Sequence, residues 1–263
     1  MTGVPGEAVT LRRDGVVGII SLMRPDAANC VDRALASGLL QAVIGCEENE
    51  AIRVVVIRAE GRFFCAGGDI NAFAEAGPRV AELVDDLTRD LHDALARLAR
   101  LPKLVITAVQ GAAAGAGFGI ALSGDVVVAA RSASFRMAYP TIGMTPDGGA
   151  TWILPRLVGY RRAQEIALLN PKLTADEALA LGLITQVVDD EALEATVGEI
   201  VQRLSASSLR ALGATRKLIS EGMTRSFEDQ MKAEEVAISH AAGKGDGQEG
   251  IAAFLAKRRP NFR

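Results

Sequence analysis

The chain of 263 residues is 49% hydrophobic and 23% charged, and 29 Lys and Arg against 32 Asp and Glu leave a formal net charge of −3. That length can bury a sizeable core, and the absence of like-charge blocks leaves no footprint for nucleic acid or a membrane surface. Cys30, Cys46 and Cys65 are an odd number without CxxC spacing, so neither a disulfide framework nor a metal site is expected, and a reducing cytoplasm suits them.

Residues 8–13 and 16–22 flank Asp14-Gly15, the two-residue signal of a tight hairpin. From Val31 to Glu48, Leu35, Leu39, Val43 and Cys46 recur at three- and four-residue steps and predict an amphipathic helix. Residues 54–57 form a β-branched run without polar alternation, which reads as a buried strand. Leu83, Leu87, Leu91, Leu95 and Leu98 predict a second helix, and 104–109 and 126–129 two more buried strands. After about Asp190 the strand signals stop, and 191–204, 208–220 and 226–242 read as helices separated by Ser, Gly and Thr breaks. The alternation predicts an α/β fold over 1–190 with function at the loops leaving the strands, followed by a helical region over 191–263 for oligomer contacts. No apolar run nears the roughly 18 residues of a spanning helix.

Two glycine-rich loops follow buried strands directly, GRFFCAGGDI at 61–70 and GAAAGAGFG at 111–119. Small residues let the backbone approach a ligand closely, and N–H groups at a helix start carry the positive end of its dipole. The pair can therefore hold an anionic oxygen, with tight turns packed on a sheet as the plain alternative. Gly115-Ala116-Gly117 begins a dinucleotide-binding pattern, but Ile120 stands at its third small position and no acidic residue ends a strand about twenty residues on.

RPDAAN at 24–29, FFCAGGDI at 63–70, AVQGAAAGAGFGIALSGD at 108–125, PDGGATWILPRLVG at 146–159 and LTADEALALGLITQVV at 173–188 occur in order across most of the chain. Together they resemble the crotonase (enoyl-CoA hydratase/isomerase) family. The resemblance implies a spiral of ββα units, a C-terminal helical trimerisation region, homotrimers or homohexamers, and acyl-CoA thioester substrates. Coenzyme A is then part of the substrate, and no separate cofactor or metal is expected. The resemblance places backbone N–H donors for the thioester oxygen at Ala66 and Ala116. It places further substrate contacts at Asp26, Ala27 and Ala28, at Gly67, Gly68, Asp69 and Ile70, at Gly117, at Tyr139, and at Lys257 as a phosphate point charge.

Hydratases of the family carry two glutamates whose aligned positions here are Gly119 and Tyr139. Adding water to a conjugated double bond needs groups to orient it, take its proton and deliver one to carbon, which that pair usually shares. Asp147, where the hydratase pattern has glycine, supplies a single carboxylate, and a single carboxylate suits double-bond isomerisation, in which one residue removes and returns the proton. A Pro-Asp-Gly turn or a cap on a helix starting near Thr151 is the alternative role. The 137–156 stretch is similar to the phenylacetate-pathway isomerase branch, which acts on ring-1,2-epoxyphenylacetyl-CoA and 3-enoyl-CoA esters. The 4-chlorobenzoyl-CoA dehalogenase branch uses an aspartate in the same place as nucleophile; its companion tryptophan is Tyr139 here, and its histidine finds no match. His92 and His240 adjoin no motif and read as structural, Cys65 as a buried thiol, and Trp152 and Tyr160 as core or interface residues. The expectation is an isomerase acting through Asp147, with a hydratase or a non-catalytic CoA-ester binder as alternatives.

Overall fold

In the computed structural model, which describes residues 7–262, strands β1 (Val9–Asp14) and β2 (Val17–Leu22) pair antiparallel about the expected turn, and Gly15 supplies its φ of 57°. Then come α1 (Arg33–Glu48), β3 (Val54–Ala59), α2 (Ile70–Ala76), α3 (Val80–Arg100), β4 (Leu104–Val109), β5 (Ala112–Ala114), α4 (Ala116–Ala121), β6 (Val126–Ala130) and β7 (Ser134–Arg136). They are followed by α5 (Ala150–Val158), α6 (Tyr160–Leu169), β8 (Leu173–Thr174), α7 (Ala175–Ala180), β9 (Gln186–Val188), α8 (Leu193–Ser205), α9 (Leu209–Gly222), α10 (Phe227–Ala242) and α11 (Gly245–Leu255).

The larger sheet has the order β1-β2-β3-β4-β6-β9, parallel from β2 onward. Its central strands β3, β4 and β6 lack polar alternation because both faces are covered. Val55 and Ile57 of β3 belong to the main core with Leu35, Leu39 and Leu91, whereas Val54 and Val56 pack with Leu193 and Val197 of α8. The first helix of the 191–263 stretch is thus part of the sheet's second face. A smaller sheet, β5-β7-β8, has strands of three, three and two residues, too short to show a period of two.

Helix α1 starts where Asp32 accepts from the Leu35 N–H at 2.8 Å, and α3 buries Leu87, Leu91, Ala94 and Leu98 along one stripe. Residues 208–220 and 226–242 fold as the helices expected of them, with Ser208 and Ser226 as the N-caps. Trp152 and Tyr160 do not lie in the core; they are 47% and 71% exposed. No helix among the described residues is long and apolar enough to cross a membrane.

Candidate active site

The loops after β3 and β4 open beneath α2 and α3 onto a cavity of about 840 Å³. Phe73, Val84, Leu87 and Leu91 line it from the helices, Gly68 and Ala116 from the loops, and Tyr139, Met144 and Asp147 from the segment before α5. The walls are mostly apolar, as expected of a pocket that removes an uncharged group from water.

The two loops are stitched together. The Cys65 N–H donates to Ala112 O at 3.1 Å and the Ala114 N–H to Cys65 O at 2.9 Å. A Cβ on Gly117 would lie 2.1 Å from Cys65 O, so only glycine lets the backbones come this close. Cys65 is fully buried, and burial pushes its thiol up to about 12, which makes it inert as a nucleophile near neutral pH.

The backbone N–H groups of the first loop differ in what they meet. The Ala66 N–H is committed to Ala28 O at 3.1 Å and the Asp69 N–H to Val31 O at 3.0 Å, while the Gly67 N–H turns toward the Cys65 thiol. The N–H groups of Gly68 and Ala116 have no acceptor among the described residues. Ala66, Gly68 and Ala116 all line the cavity, the first with its N–H already bonded and the other two with theirs open. The acceptor for Ala66, the Ala28 carbonyl, is brought from 38 residues away.

Other expected contacts divide. Gly67 and Ile70 line the cavity; Asp26, Ala27, Ala28, Asp69, Gly117 and Lys257 do not. Asp69 instead caps α2 by accepting from the Asn71 and Ala72 N–H groups, and pairs with Arg24 at 3.4 Å. Gly117 serves the loop packing just described. Lys257 is exposed beyond α11.

Asp147 sits at the centre of a polar network at the cavity wall. Its carboxylate does not cap α5, whose N-cap is Gly149 with no side-chain bond; only its main-chain oxygen takes part in the turn, accepting from Ala150 N–H at 3.1 Å. The Tyr139 phenol donates to Asp147 Oδ1. Burial, with the Asp147 charge next in importance, holds that phenol well above its ordinary range, so Tyr139 stays a donor. His92, read from sequence as structural, stands with Nε2 3.3 Å from Asp147 Oδ2 and accepts from the Gly148 N–H at 3.0 Å. Nε2 can serve Gly148 as acceptor or Asp147 as donor, not both, so the imidazole tautomer decides whether Oδ2 is bonded or free. Helix α3 brings His92 to Asp147 across 55 residues, and no local motif could show it.

The two positions that carry glutamates in hydratases are filled differently here. Tyr139 is 8% exposed, and Gly119 sits inside α4 with the backbone of the Asp147 turn against it: an added Cβ would lie 2.6 Å from Gly148 O. Gly119→Glu is therefore expected to lower stability by about 1–3 kcal/mol through overpacking and to add no hydratase activity. Urea denaturation and a crotonyl-CoA hydration assay check both; a stable, hydrating variant would refute the steric account.

A mixed sheet covered by helices, two interlocked glycine loops and a carboxylate at an apolar cavity define the class of an α/β enzyme with a largely apolar substrate pocket. The enoyl-CoA hydratase/isomerase family pattern matches residues 12–263, and the chain belongs to that family. It is 39% identical to 1,2-epoxyphenylacetyl-CoA isomerase of Escherichia coli (strain K12), over 92% of this chain and 93% of that protein. It is 31% identical to 4-chlorobenzoyl coenzyme A dehalogenase-2 of an Arthrobacter species, over 93% and 88%. A crystal structure of an enoyl-CoA hydratase from Polaromonas sp. JS666 superposes with a TM-score of 0.92 at 33% identity, over 97% of this chain and 99% of that one.

Proposed function

We propose that this family member is an acyl-CoA isomerase in which Asp147 alone takes and returns the proton. The supporting observation is the setting of that carboxylate. The Asp147 side chain is 22% exposed and bonded to Tyr139, whereas Asp85, also along the cavity, is 79% exposed and paired with Arg89 at 3.1 Å.

In the proposed reaction the thioester oxygen lies between the N–H groups of Gly68 and Ala116. Asp147 Oδ2 removes a proton from C2 of a 3-enoyl thioester, the electron pair delocalises as a dienolate onto that oxygen, and the same carboxyl delivers the proton to C4, leaving the 2-enoyl thioester. Tyr139, bonded to Oδ1, fixes the carboxylate and leaves Oδ2 for the substrate. The epoxyphenylacetyl thioester in the name of the Escherichia coli relative is the aromatic counterpart, and the apolar walls suit either acyl group. The coenzyme A arm is assigned to the backbone near Asp26, Ala27 and Ala28, with Lys257 for its phosphates. Oligomer contacts are assigned to the exposed apolar side chains of the last helices, Phe227, Val236, Ile238 and Phe254 among them.

Turnover of 3-hexenoyl-CoA and epoxyphenylacetyl-CoA in preference to hydration of crotonyl-CoA is the expected result. Rapid hydration with 3-hexenoyl-CoA untouched would favour a hydratase using water organised by Asp147, and binding without any turnover a non-catalytic CoA-ester protein. His92 beside Asp147 favours one second reading, in which the carboxylate is a nucleophile and the imidazole activates water as in a hydrolytic dehalogenase. Chloride release from 4-chlorobenzoyl-CoA would establish it, and its absence would dismiss it.

A further inference from the structure

Asn170 ends α6 in the left-handed conformation, with φ 53°, and is 8% exposed. Glycine would serve that backbone equally well, so a cap alone does not explain an asparagine. Its side chain is spent elsewhere. Oδ1 accepts from the Ala138 N–H at 2.8 Å, Nδ2 donates to Thr141 Oγ1 at 3.0 Å, and its main-chain oxygen accepts from Arg136 Nε at 3.2 Å. Arg136, Ala138 and Thr141 all line the cavity, and Asn170 itself does not.

These three partners bracket Tyr139. Ala138 adopts φ 65°, a conformation that an alanine reaches only against a steric cost; it persists where surrounding contacts over-determine it. The amide of Asn170 is such a contact, because it occupies the N–H that the left-handed turn presents. The turn at Ala138 sets the direction in which the chain enters Tyr139–Ile142, and with it the approach of the phenol to Asp147.

We infer that Asn170 is a positioning residue for the Tyr139–Asp147 pair, a role that presupposes the acid/base function proposed for Asp147. Loss of its side-chain bonds lets Ala138 relax toward negative φ and withdraws the phenol from Oδ1. The carboxylate then loses both its fixed rotamer and the donor that stabilises its charge.

The test compares Asn170→Gly, which keeps the backbone conformation and removes both side-chain bonds, with Asn170→Asp, which keeps an acceptor for Ala138. Tyr139→Phe, the Asn170→Gly/Tyr139→Phe double variant and Asp147→Asn complete the set, with kcat, KM and the pH profile of kcat measured on 3-hexenoyl-CoA. Asn170→Gly is expected to lower kcat by about 10- to 100-fold, to leave KM within about twofold, and to shift the pH profile in the same direction as Tyr139→Phe. Asn170→Asp restores most of the rate, and the double variant is no slower than Tyr139→Phe, because both changes remove one interaction. A wild-type rate in Asn170→Gly, an unmoved pH profile, or losses that multiply in the double variant overturn the role. Should Asn170→Gly not fold, Thr141→Val, which removes only the Nδ2 contact, is expected to show a smaller loss that likewise vanishes in the Tyr139→Phe background; a loss that persists there overturns the role. Full activity in Asp147→Asn refutes the acid/base function itself, whereas an inactive Asp147→Asn beside a wild-type Asn170→Gly refutes only the positioning.

Discussion

Asp147→Asn is expected to lower kcat on a 3-enoyl-CoA by about a thousandfold while KM moves no more than a few-fold. The amide keeps the size of the carboxylate and an oxygen to accept from Tyr139, so the network that holds the side chain persists. What it loses is the capacity to take a proton. The donors proposed for the thioester oxygen are main-chain groups of other loops, Gly68 and Ala116, and the cavity walls are unchanged, so binding should survive. Equal loss of kcat and of kcat/KM is the signature of an interaction made in the transition state only. Steady-state rates on 3-hexenoyl-CoA provide the measurement, and an Asp147→Asn enzyme as fast as wild type would remove Asp147 from the chemistry. A fall confined to KM would assign it to substrate binding.

The sheet and the long helices were legible because their signals are local. The all-buried runs of β3 and β4 and the leucine stripe of α3 declare themselves within a few turns of chain. Asp147 was legible for a similar reason, as one residue out of pattern inside a recognisable segment. What stayed hidden depends on who meets whom. The bond of the Ala66 N–H turns on the Ala28 carbonyl, the contact of His92 with Asp147 on the path of α3, and the bonds of Asn170 on the return of α6 to the segment after β7. Gly119 has both kinds of content. Sequence shows that a glutamate is absent there, and only the packing of Gly148 against it shows that none would fit.

The largest expected loss of stability falls on Arg216→Ala, by about 3 kcal/mol, because it severs the tie between α9 and the end of the cavity helix α3. The Arg216 side chain is 10% exposed. Its Nε contacts Asp125 Oδ1 at 2.6 Å, Nη1 donates to Leu101 O at 2.5 Å, and Nη2 donates to Leu98 O at 2.7 Å. Carbonyls at the end of α3 have no partners within the helix, so one guanidinium both closes that terminus and neutralises Asp125. Arg216→Lys keeps the charge but not the fork, and should recover only part of the loss. The pH dependence follows from Asp125, whose carboxyl is raised above its ordinary value by burial even though Arg216 pulls it down. Without Arg216 it rises further, so the folded variant holds a proton that the unfolded chain releases. Stability of the variant then falls as pH climbs through the interval above the ordinary carboxylate range. The deficit against wild type should accordingly be smaller at pH 5 than at pH 8 in urea denaturation at fixed protein concentration. A deficit equal at both would assign Arg216 to the α3 carbonyls alone. Because α3 carries Leu87 and Leu91 to the cavity and His92 to Asp147, the same variant should also lose activity at temperatures where it remains folded, and unchanged kcat there would show that the α3 terminus and the site move independently.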